Sequence, residues 1–278
     1  MDKNNLKFIF WGTPDIASKT LEILKLGGYL PSLIITSQDK PQGRKMTITP
    51  TPVKTWAEEN NIPYLQPIKI DDNFIELIKK MEFDLSIVVA YGKILPEKII
   101  NTPKKGTLNI HYSLLPKYRG ASPLESALLN GENITGVTIQ KMAYQLDSGP
   151  IVAKEKIDIS IEETKQTLKD KLVIIGADLL IKILPDYISD KILLETQKEE
   201  GVSFCSKIKK EDGEINLDDK PILNWNKYRS YLGWPGVFFF KTINGKKTRF
   251  KITKAKFEDG LFIIEKVIPE GKKEINYK

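Results

Sequence analysis

Apolar runs alternate with helical patterns over the first two-thirds of this 278-residue chain. Residues 6–11 and 85–89 are almost wholly apolar, which is typical of strands buried on both faces of a sheet. Apolar residues recur at helical spacing in residues 16–26 and 72–81. This order of elements predicts an α/β fold with a Rossmann-like, mainly parallel sheet.

The pattern changes in the C-terminal part of the chain. Three further strands are predicted at residues 237–243, 248–257 and 261–267. The pairs Asn244-Gly245 and Asp259-Gly260 stand between these strands and are strong signals for hairpin turns. We therefore expect a small C-terminal antiparallel domain resembling an OB-like β-barrel, a fold that often binds oligonucleotides.

Composition excludes several classes of protein. Cys205 is the only cysteine and His111 the only histidine, so neither an internal disulfide nor a soft-ligand zinc site is expected. Residues 1–5 do not open a signal peptide, and no apolar run reaches the length of a membrane span. Gly12 alone occupies the first strand-to-helix turn, where a dinucleotide-binding enzyme has G-x-G-x-x-G. A cytoplasmic, metal-free protein without a dinucleotide cofactor is expected.

The net charge of +7 is concentrated near the C-terminus. Residues 1–207 hold 27 Lys and Arg against 26 Asp and Glu, or +1, whereas residues 208–278 hold 16 against 10, or +6. Seven cations and no acidic residue lie between residues 236 and 257: Lys241, Lys246, Lys247, Arg249, Lys251, Lys254 and Lys256. Such a stripe suits a phosphate backbone, and equally suits a solvated edge that discourages aggregation.

The stretch GTLNIHYSLLPKYRG, residues 106–120, carries the most distinctive chemistry. Alternation predicts a short strand in which Asn109 and His111 point to the same face. An amide donor beside an imidazole can stabilise negative charge on a carbonyl oxygen. Taken alone, a single histidine is more often an ordinary packed side chain. Asp147 precedes a Ser-Gly-Pro turn and by itself is more often a turn former.

Together these segments resemble a known family. NIHYSLLPKYRGASP, followed some thirty residues later by GVTIQKMAYQLDSGPI, is similar to the formyltransferases that use 10-formyltetrahydrofolate. The resemblance covers roughly residues 6–240. Four further segments are similar to the members of this family that formylate methionine on initiator methionyl-tRNA: FWGTPD, DKPQGRKMTITPTPVKTWAEENNIPYLQP, VVAYGKILP and WPG.

The resemblance implies a role for each site residue. Asn109 would donate to the formyl oxygen, His111 would polarise the group or carry a proton, and Asp147 would orient the histidine or a water. The residues expected to contact folate are Ala90, Tyr91, Gly92, Ser113, Leu114, Leu115 and Pro116. The residues expected to contact tRNA are Lys40, Arg44, Lys45, Lys246, Lys247, Arg249 and Lys251.

The change in sequence pattern divides the chain into parts, and the resemblance gives each part a role. Residues 1–189 would form the catalytic domain, 190–207 a linker and 208–278 a basic tRNA-binding domain. The protein is expected to act as a monomer. Two other functions remain open from the sequence: a formyltransferase for an amino sugar nucleotide, which would share the chemical centre, and a non-catalytic RNA-binding protein on an enzyme scaffold.

Overall fold

The structure is a computed structural model that describes residues 6–43 and 46–277. Its helices are α1 Asp15–Leu26, α2 Pro52–Glu59, α3 Asp72–Lys80, α4 Glu97–Ile100, α5 Pro123–Leu129, α6 Lys165–Ile188 and α7 Pro221–Tyr231, with a 3₁₀ turn at Glu211–Gly213. Its strands are β1 Phe8–Gly12, β2 Leu33–Ile35, β3 Lys40–Gln42, β4 Thr47–Thr49, β5 Tyr64–Leu65, β6 Leu85–Val89, β7 Thr107–His111, β8 Arg119–Gly120, β9 Ile134–Lys141, β10 Ile151–Asp158, β11 Phe204–Cys205, β12 Val237–Ile243, β13 Lys246–Glu258, β14 Leu261–Pro269 and β15 Ile275–Asn276.

A seven-stranded sheet organises the first part of the fold. Its strand order is β10-β9-β7-β6-β1-β2-β5, and the pairs from β7 to β5 are parallel. Strand β9 runs antiparallel to β7. Every residue of β1 and β6 is buried, because helices cover both faces of such a sheet. The predicted α/β fold with a mainly parallel sheet is confirmed.

Local sequence explains how the flanking helices begin and pack. The side chain of Thr51 accepts a hydrogen bond from the Lys54 amide at the start of α2, and Asp71 does the same for Phe74 at the start of α3. Helix α1 buries residues at helical spacing, among them Ala17, Leu21 and Leu24. This apolar stripe packs α1 against the sheet.

A second, antiparallel sheet forms in the C-terminal part, as predicted. Its strand order is β12-β13-β14-β15, and helix α7 packs aromatic residues against it. Both residues of the Asn244-Gly245 and Asp259-Gly260 turns have positive φ, as tight hairpins require. The short β15 adds a strand that the sequence pattern did not predict. Tyr277 follows β15 and meets Phe239 of β12 edge-on at 5.6 Å between ring centroids, so the sheet curls toward its first strand.

The described chain divides into two compact units whose segments interleave. One unit comprises residues 6–119, 136–156 and 170–203, and the other comprises 120–135, 157–169 and 204–277. Within the second unit, Ser230 donates to the Glu125 carbonyl at 3.0 Å and Trp225 to the Ile161 carbonyl at 2.8 Å. Earlier segments therefore complete the C-terminal unit. The division by role at residues 189 and 208 remains a prediction.

Across the two described ranges, no helix has both the length and the apolar character that crossing a membrane requires.

Gly12 at the end of β1 is expected to tolerate no side chain. A Cβ there would lie 2.6 Å from the Ala17 Cβ, 2.8 Å from a Phe10 ring carbon and 3.0 Å from the Val89 carbonyl oxygen. Overpacking of this kind costs about 1–3 kcal/mol, so Gly12→Ala should lower the free energy of unfolding by that amount in urea titrations.

Gly27→Ala is the matched control. Gly27 also has an ordinary backbone conformation, with φ of −75°. Its new Cβ would mainly meet the flexible end of Ile181, at 2.6 Å. A loss of less than about 1 kcal/mol is expected. Equal losses at the two positions would contradict the interpretation of Gly12.

Candidate active site

Four polar side chains form a cluster where β7 pairs with β9. Asn109 and His111 project from the same face of β7, as alternation predicts. The antiparallel register sets Gln140 opposite Asn109 and Thr138 opposite His111. Directly opposed residues share a face of the sheet, so four polar groups meet here.

The side chain of Asp147 reaches this cluster from the loop between β9 and β10. One carboxylate oxygen lies 3.6 Å from Nδ1 of His111, and the other lies 3.5 Å from Nδ2 of Asn109. The His111 and Asp147 side chains are only 5% and 11% exposed, which strengthens electrostatic interactions between them. The structure brings together the three residues predicted to be catalytic.

The hydrogen bonding of His111 indicates which ring nitrogen carries a proton. Nε2 lies 2.9 Å from the carbonyl oxygen of Tyr118, which can only accept a hydrogen bond. We therefore assign a proton to Nε2, so that in the neutral ring the lone pair lies on Nδ1. Two acceptors then face each other across the 3.6 Å between Nδ1 and Asp147, and a proton arriving on Nδ1 would turn that contact into an attraction.

Gln140 is a member of the site that the sequence did not reveal. Its side chain is buried and donates from Nε2 to Asp147 at 2.8 Å. Within the described ranges, its buried Oε1 has no hydrogen-bond partner. Only the register between β7 and β9 identifies Gln140, because no pattern in the sequence indicates which strand pairs with β7.

The SLLP segment, Ser113 to Pro116, is fixed by hydrogen bonds to its backbone. Thr138 donates to the Ser113 carbonyl at 2.7 Å and accepts from the Leu115 amide at 3.1 Å. Ser113 and Leu115 are buried, whereas Leu114 and Pro116 are partly exposed. A ligand beside this segment would therefore meet backbone groups and the side chains of Leu114 and Pro116.

The turn at residues 90–92 follows β6, which lies beside β7 in the sheet. Tyr91 buries its ring edge-on against Trp11, 5.3 Å between centroids, and this burial raises the pKa of Tyr91 to about 12. Ala90 and Gly92 are exposed and have φ of 48° and 81°. The turn thus presents its main chain outward and the Tyr91 side chain inward.

The cations predicted to contact tRNA do not form one stripe. Lys247, Arg249 and Lys251 lie on one face of β13, opposite Thr242, Phe240 and Phe238 of β12. Lys247 Nζ lies 4.3 Å from the Phe240 ring centroid, and the Arg249 guanidinium carbon lies 5.4 Å from that of Phe238. We call these three cations and two phenylalanines the outer face of β13.

The other C-terminal cations are placed differently. Lys254 forms an ion pair with Glu265 at 2.8 Å, and Lys256 pairs with Glu258. Lys246 is exposed at the hairpin end of β13. In the first unit, Lys40 is exposed in the β3–β4 hairpin, while Arg44 and Lys45 lie outside the described residues.

Comparison with known proteins identifies the family. The family described as formyl transferase matches residues 5–184, which include Asn109, His111 and Asp147. The methionyl-tRNA formyltransferase of Sulfurihydrogenibium sp. is 42% identical over 235 residues, covering 84% of this chain and 76% of that protein. That of Thermodesulfovibrio yellowstonii is 38% identical over 283 residues, covering 95% and 92%. The chain belongs to the methionyl-tRNA formyltransferase family.

Solved structures share the fold at low identity. A sugar 3N-formyl transferase, WlaRD, has a TM-score of 0.66 at 20% identity and covers 96% of this chain and 98% of its own. HypX from Aquifex aeolicus, crystallised with tetrahydrofolic acid, has a TM-score of 0.67 at 15% identity and covers 98% and 46%. The formyltransferase fold extends over nearly the whole chain, and the family predicted from the sequence is confirmed.

The tautomer of His111 can be measured directly because the chain has one histidine. In a long-range ¹H–¹⁵N spectrum at a pH where the ring is neutral, we expect the Nε2–H form, because Nε2 faces the Tyr118 carbonyl. No assignment variant is needed. A spectrum showing the Nδ1–H form would contradict the arrangement and leave no lone pair facing Asp147.

Proposed function

We propose that this enzyme transfers the formyl group of 10-formyltetrahydrofolate to the amino group of methionine on initiator methionyl-tRNA. The observation that carries the proposal is the meeting of an amide donor, an imidazole and a carboxylate at the β7–β9 pair. Family membership supports the reaction class, since 95% of the chain aligns with one methionyl-tRNA formyltransferase. The protein acts in translation initiation.

Asn109 is the oxyanion donor in this proposal. Its Nδ2 makes only a long contact with Asp147, 3.5 Å, so a hydrogen remains available for another acceptor. When an amine attacks a formyl carbon, negative charge grows on the formyl oxygen. One well-placed donor stabilises such charge by about 2.7–4 kcal/mol.

In this proposal His111 transfers a proton from the attacking amine to the departing nitrogen, and Asp147 assists it. The attacking amine becomes positively charged and must lose a proton, which Nδ1 of His111 accepts through its lone pair. The carboxylate of Asp147, 3.6 Å away, stabilises the resulting imidazolium. The same proton then passes to the departing nitrogen, so the histidine returns to its neutral form. General acid–base catalysis of this kind contributes roughly 10²–10⁴-fold to the rate.

The folate site is proposed between the turn at residues 90–92 and the SLLP segment. When bound, 10-formyltetrahydrofolate supplies the activated formyl group. The strands β6 and β7 that precede the two segments are parallel neighbours, and ligands in such sheets bind beyond the carboxyl ends of the strands. The outward main chain of the turn suits the polar edge of a flat heterocycle. Oε1 of Gln140, which has no hydrogen-bond partner in the part of the chain that the structure describes, offers a further acceptor beside Asp147.

We propose two separate groups of tRNA contacts, one in each unit: the β3–β4 hairpin in the first unit and the outer face of β13 in the second. The cations of that face lie beside partly exposed aromatic rings, an arrangement that binds phosphates while offering stacking surfaces to bases. Lys40, Arg44 and Lys45 remain the proposed contacts in the first unit, and Lys246 remains one in the second.

The decisive experiment offers the enzyme two formyl acceptors. With 10-formyltetrahydrofolate present, initiator methionyl-tRNA should be formylated and amino sugar nucleotides should not.

Asn109→Ala should lower kcat by about 10²–10³-fold. His111→Ala should lower it by about 10²–10⁴-fold. Product should be scored by mass spectrometry of the released formylmethionine.

Each contrary result has a distinct meaning. Labelling of the sugar alone would overturn the substrate assignment while preserving the chemistry. Unchanged transfer by His111→Ala would overturn the mechanism. Binding of tRNA without any transfer would identify a non-catalytic RNA-binding protein instead.

The contribution of the outer face of β13 can be separated from bulk charge. Replacing Lys247, Arg249 and Lys251 by alanine should raise the KM for tRNA and leave the KM for folate unchanged. Three lost phosphate contacts should also reduce the slope of log KM against log salt by about 2–3.

The control for that variant is Lys254→Ala with Lys256→Ala. These cations stand on the same strand but pair with Glu265 and Glu258, so their loss should change the salt slope by less than about one. Equal effects of the two variants would show that the outer face has no special role in binding tRNA.

A further inference from the structure

We propose that Gln197 and Arg119 are positioning residues that hold the loop bearing Asp147 in its reactive conformation. The proposal rests on the function proposed above, because it assumes that Asp147 assists the transfer. Both side chains are buried, and neither belongs to the three groups that surround the reacting atoms. They lie 28 residues or more from Asp147 along the chain, on either side of it.

The Asp147 loop needs to be held because its backbone conformation is unfavourable. Asp147 has φ of 49°, in the left-handed region that few non-glycine residues occupy. Tyr144 and Leu146, just before it, are exposed and offer the loop little packing. At Gly149 the loop passes so close to the preceding strand that a Cβ would lie 1.9 Å from the Lys141 carbonyl oxygen.

Gln197 ties this loop at two points. Its Nε2 donates to the carbonyl oxygen of Asp147 at 2.8 Å and to that of Gly149 at 2.7 Å. Both hydrogens of the amide are therefore used on the residues that flank Ser148. The backbone of the Gln197 segment is anchored nearby, since Glu195 and Ile151 exchange two hydrogen bonds of 2.7 and 2.9 Å.

Arg119 sets the orientation of the Gln197 amide. Its Nε and Nη2 donate to Oε1 of Gln197 at 3.1 and 2.8 Å. A guanidinium can only donate and a peptide carbonyl can only accept, so the amide has a single orientation that satisfies both neighbours. Arg119 is in turn held by its own backbone, whose amide donates to the Ser203 carbonyl at 2.8 Å.

This arrangement acts on the reaction through Asp147. The contacts from Asp147 to Asn109 and His111, 3.5 and 3.6 Å, are long, so a modest movement of the loop would abolish them. Displacements of about 1 Å at a catalytic centre can cost 10²-fold in rate. Substrate binding depends on other segments, so the expected loss lies in kcat rather than in KM.

The sharpest test is Gln197→Glu. The new carboxylate keeps the shape of the side chain and can accept from Arg119, but it loses both donors to the loop. We expect kcat for formylation to fall by about 10–100-fold, with both KM values changed less than about threefold. Gln145→Glu, which adds the same charge at an exposed position of the same loop, is the control and should retain wild-type kcat.

A second pair of variants tests whether the two residues act as a unit. Arg119→Met and Gln197→Met should each lower kcat, and the double variant should be no slower than the slower single variant, because the second change removes an interaction already lost. If Gln197→Met fails to fold, Arg119→Lys combined with Gln197→Glu provides the same comparison with milder changes.

Hydrogen exchange separates this proposal from the proposed function. Amide exchange at residues 146–149 should accelerate at least tenfold in Gln197→Glu relative to wild type and to Gln145→Glu, whichever substrate the enzyme uses. Wild-type enzyme that forms no formylmethionyl-tRNA would refute the function and leave this measurement intact. Unchanged exchange, or a kcat loss that tracks the loss of global stability, would overturn the positioning role.

Discussion

The antiparallel pairing of β9 with β7 is the constraint on which the site depends. Without β9, strand β7 would be an edge strand with only β6 beside it. The reversal of β9 sets Thr138 and Gln140 opposite them and starts the loop that returns Asp147 to the same face. A shift of β9 by one residue against β7 would turn Thr138 and Gln140 to the opposite face of the sheet, away from Asn109 and His111. The fold and the chemistry are fixed by the same set of backbone hydrogen bonds.

Much of this could be predicted from local patterns. Alternation in residues 107–111 placed Asn109 and His111 on one face, and the Asn-Gly and Asp-Gly pairs located two hairpins, because both features depend on neighbours within a few residues. The residues that hold Asp147 escaped such reasoning. Arg119 and Gln197 are 78 residues apart, and nothing in either segment indicates the other. A local sequence pattern predicts individual helices and strands well. Contacts between distant segments can be located only once the strand register and the path of the chain are known.

The C-terminal charge shows a different limit of sequence reasoning. Seven cations without an acidic residue among them suggested one continuous surface. In the structure, alternation sends neighbouring side chains to opposite faces, and the register of β13 against β14 shifts between Ile252 and Ala255. Lys254 pairs with Glu265 on the neighbouring strand β14, and Lys256 pairs with Glu258, the residue just after the cation-rich segment 236–257. Both acidic residues lie outside that segment, so counting charges within it misses them. The useful quantity for nucleic-acid binding is therefore the set of cations that share a face and lack an acidic neighbour, which strand pairing determines.

The resting site also explains why an amide such as Gln140 belongs there. A carboxylate only accepts hydrogen bonds, and the amides of Asn109 and Gln140 are directed at the same oxygen of Asp147. Gln140 already donates to that oxygen at 2.8 Å, while Asn109 remains at 3.5 Å. Gln140 supplies the shorter of two hydrogen bonds to that oxygen, and because the contact from Asn109 is long, its hydrogen costs little to redirect toward the formyl oxygen in the proposed reaction. Because both donors are neutral amides, Asp147 keeps the negative charge that would stabilise an imidazolium at His111 in the proposed mechanism. The longer of the two amide contacts thus belongs to Asn109, the proposed oxyanion donor.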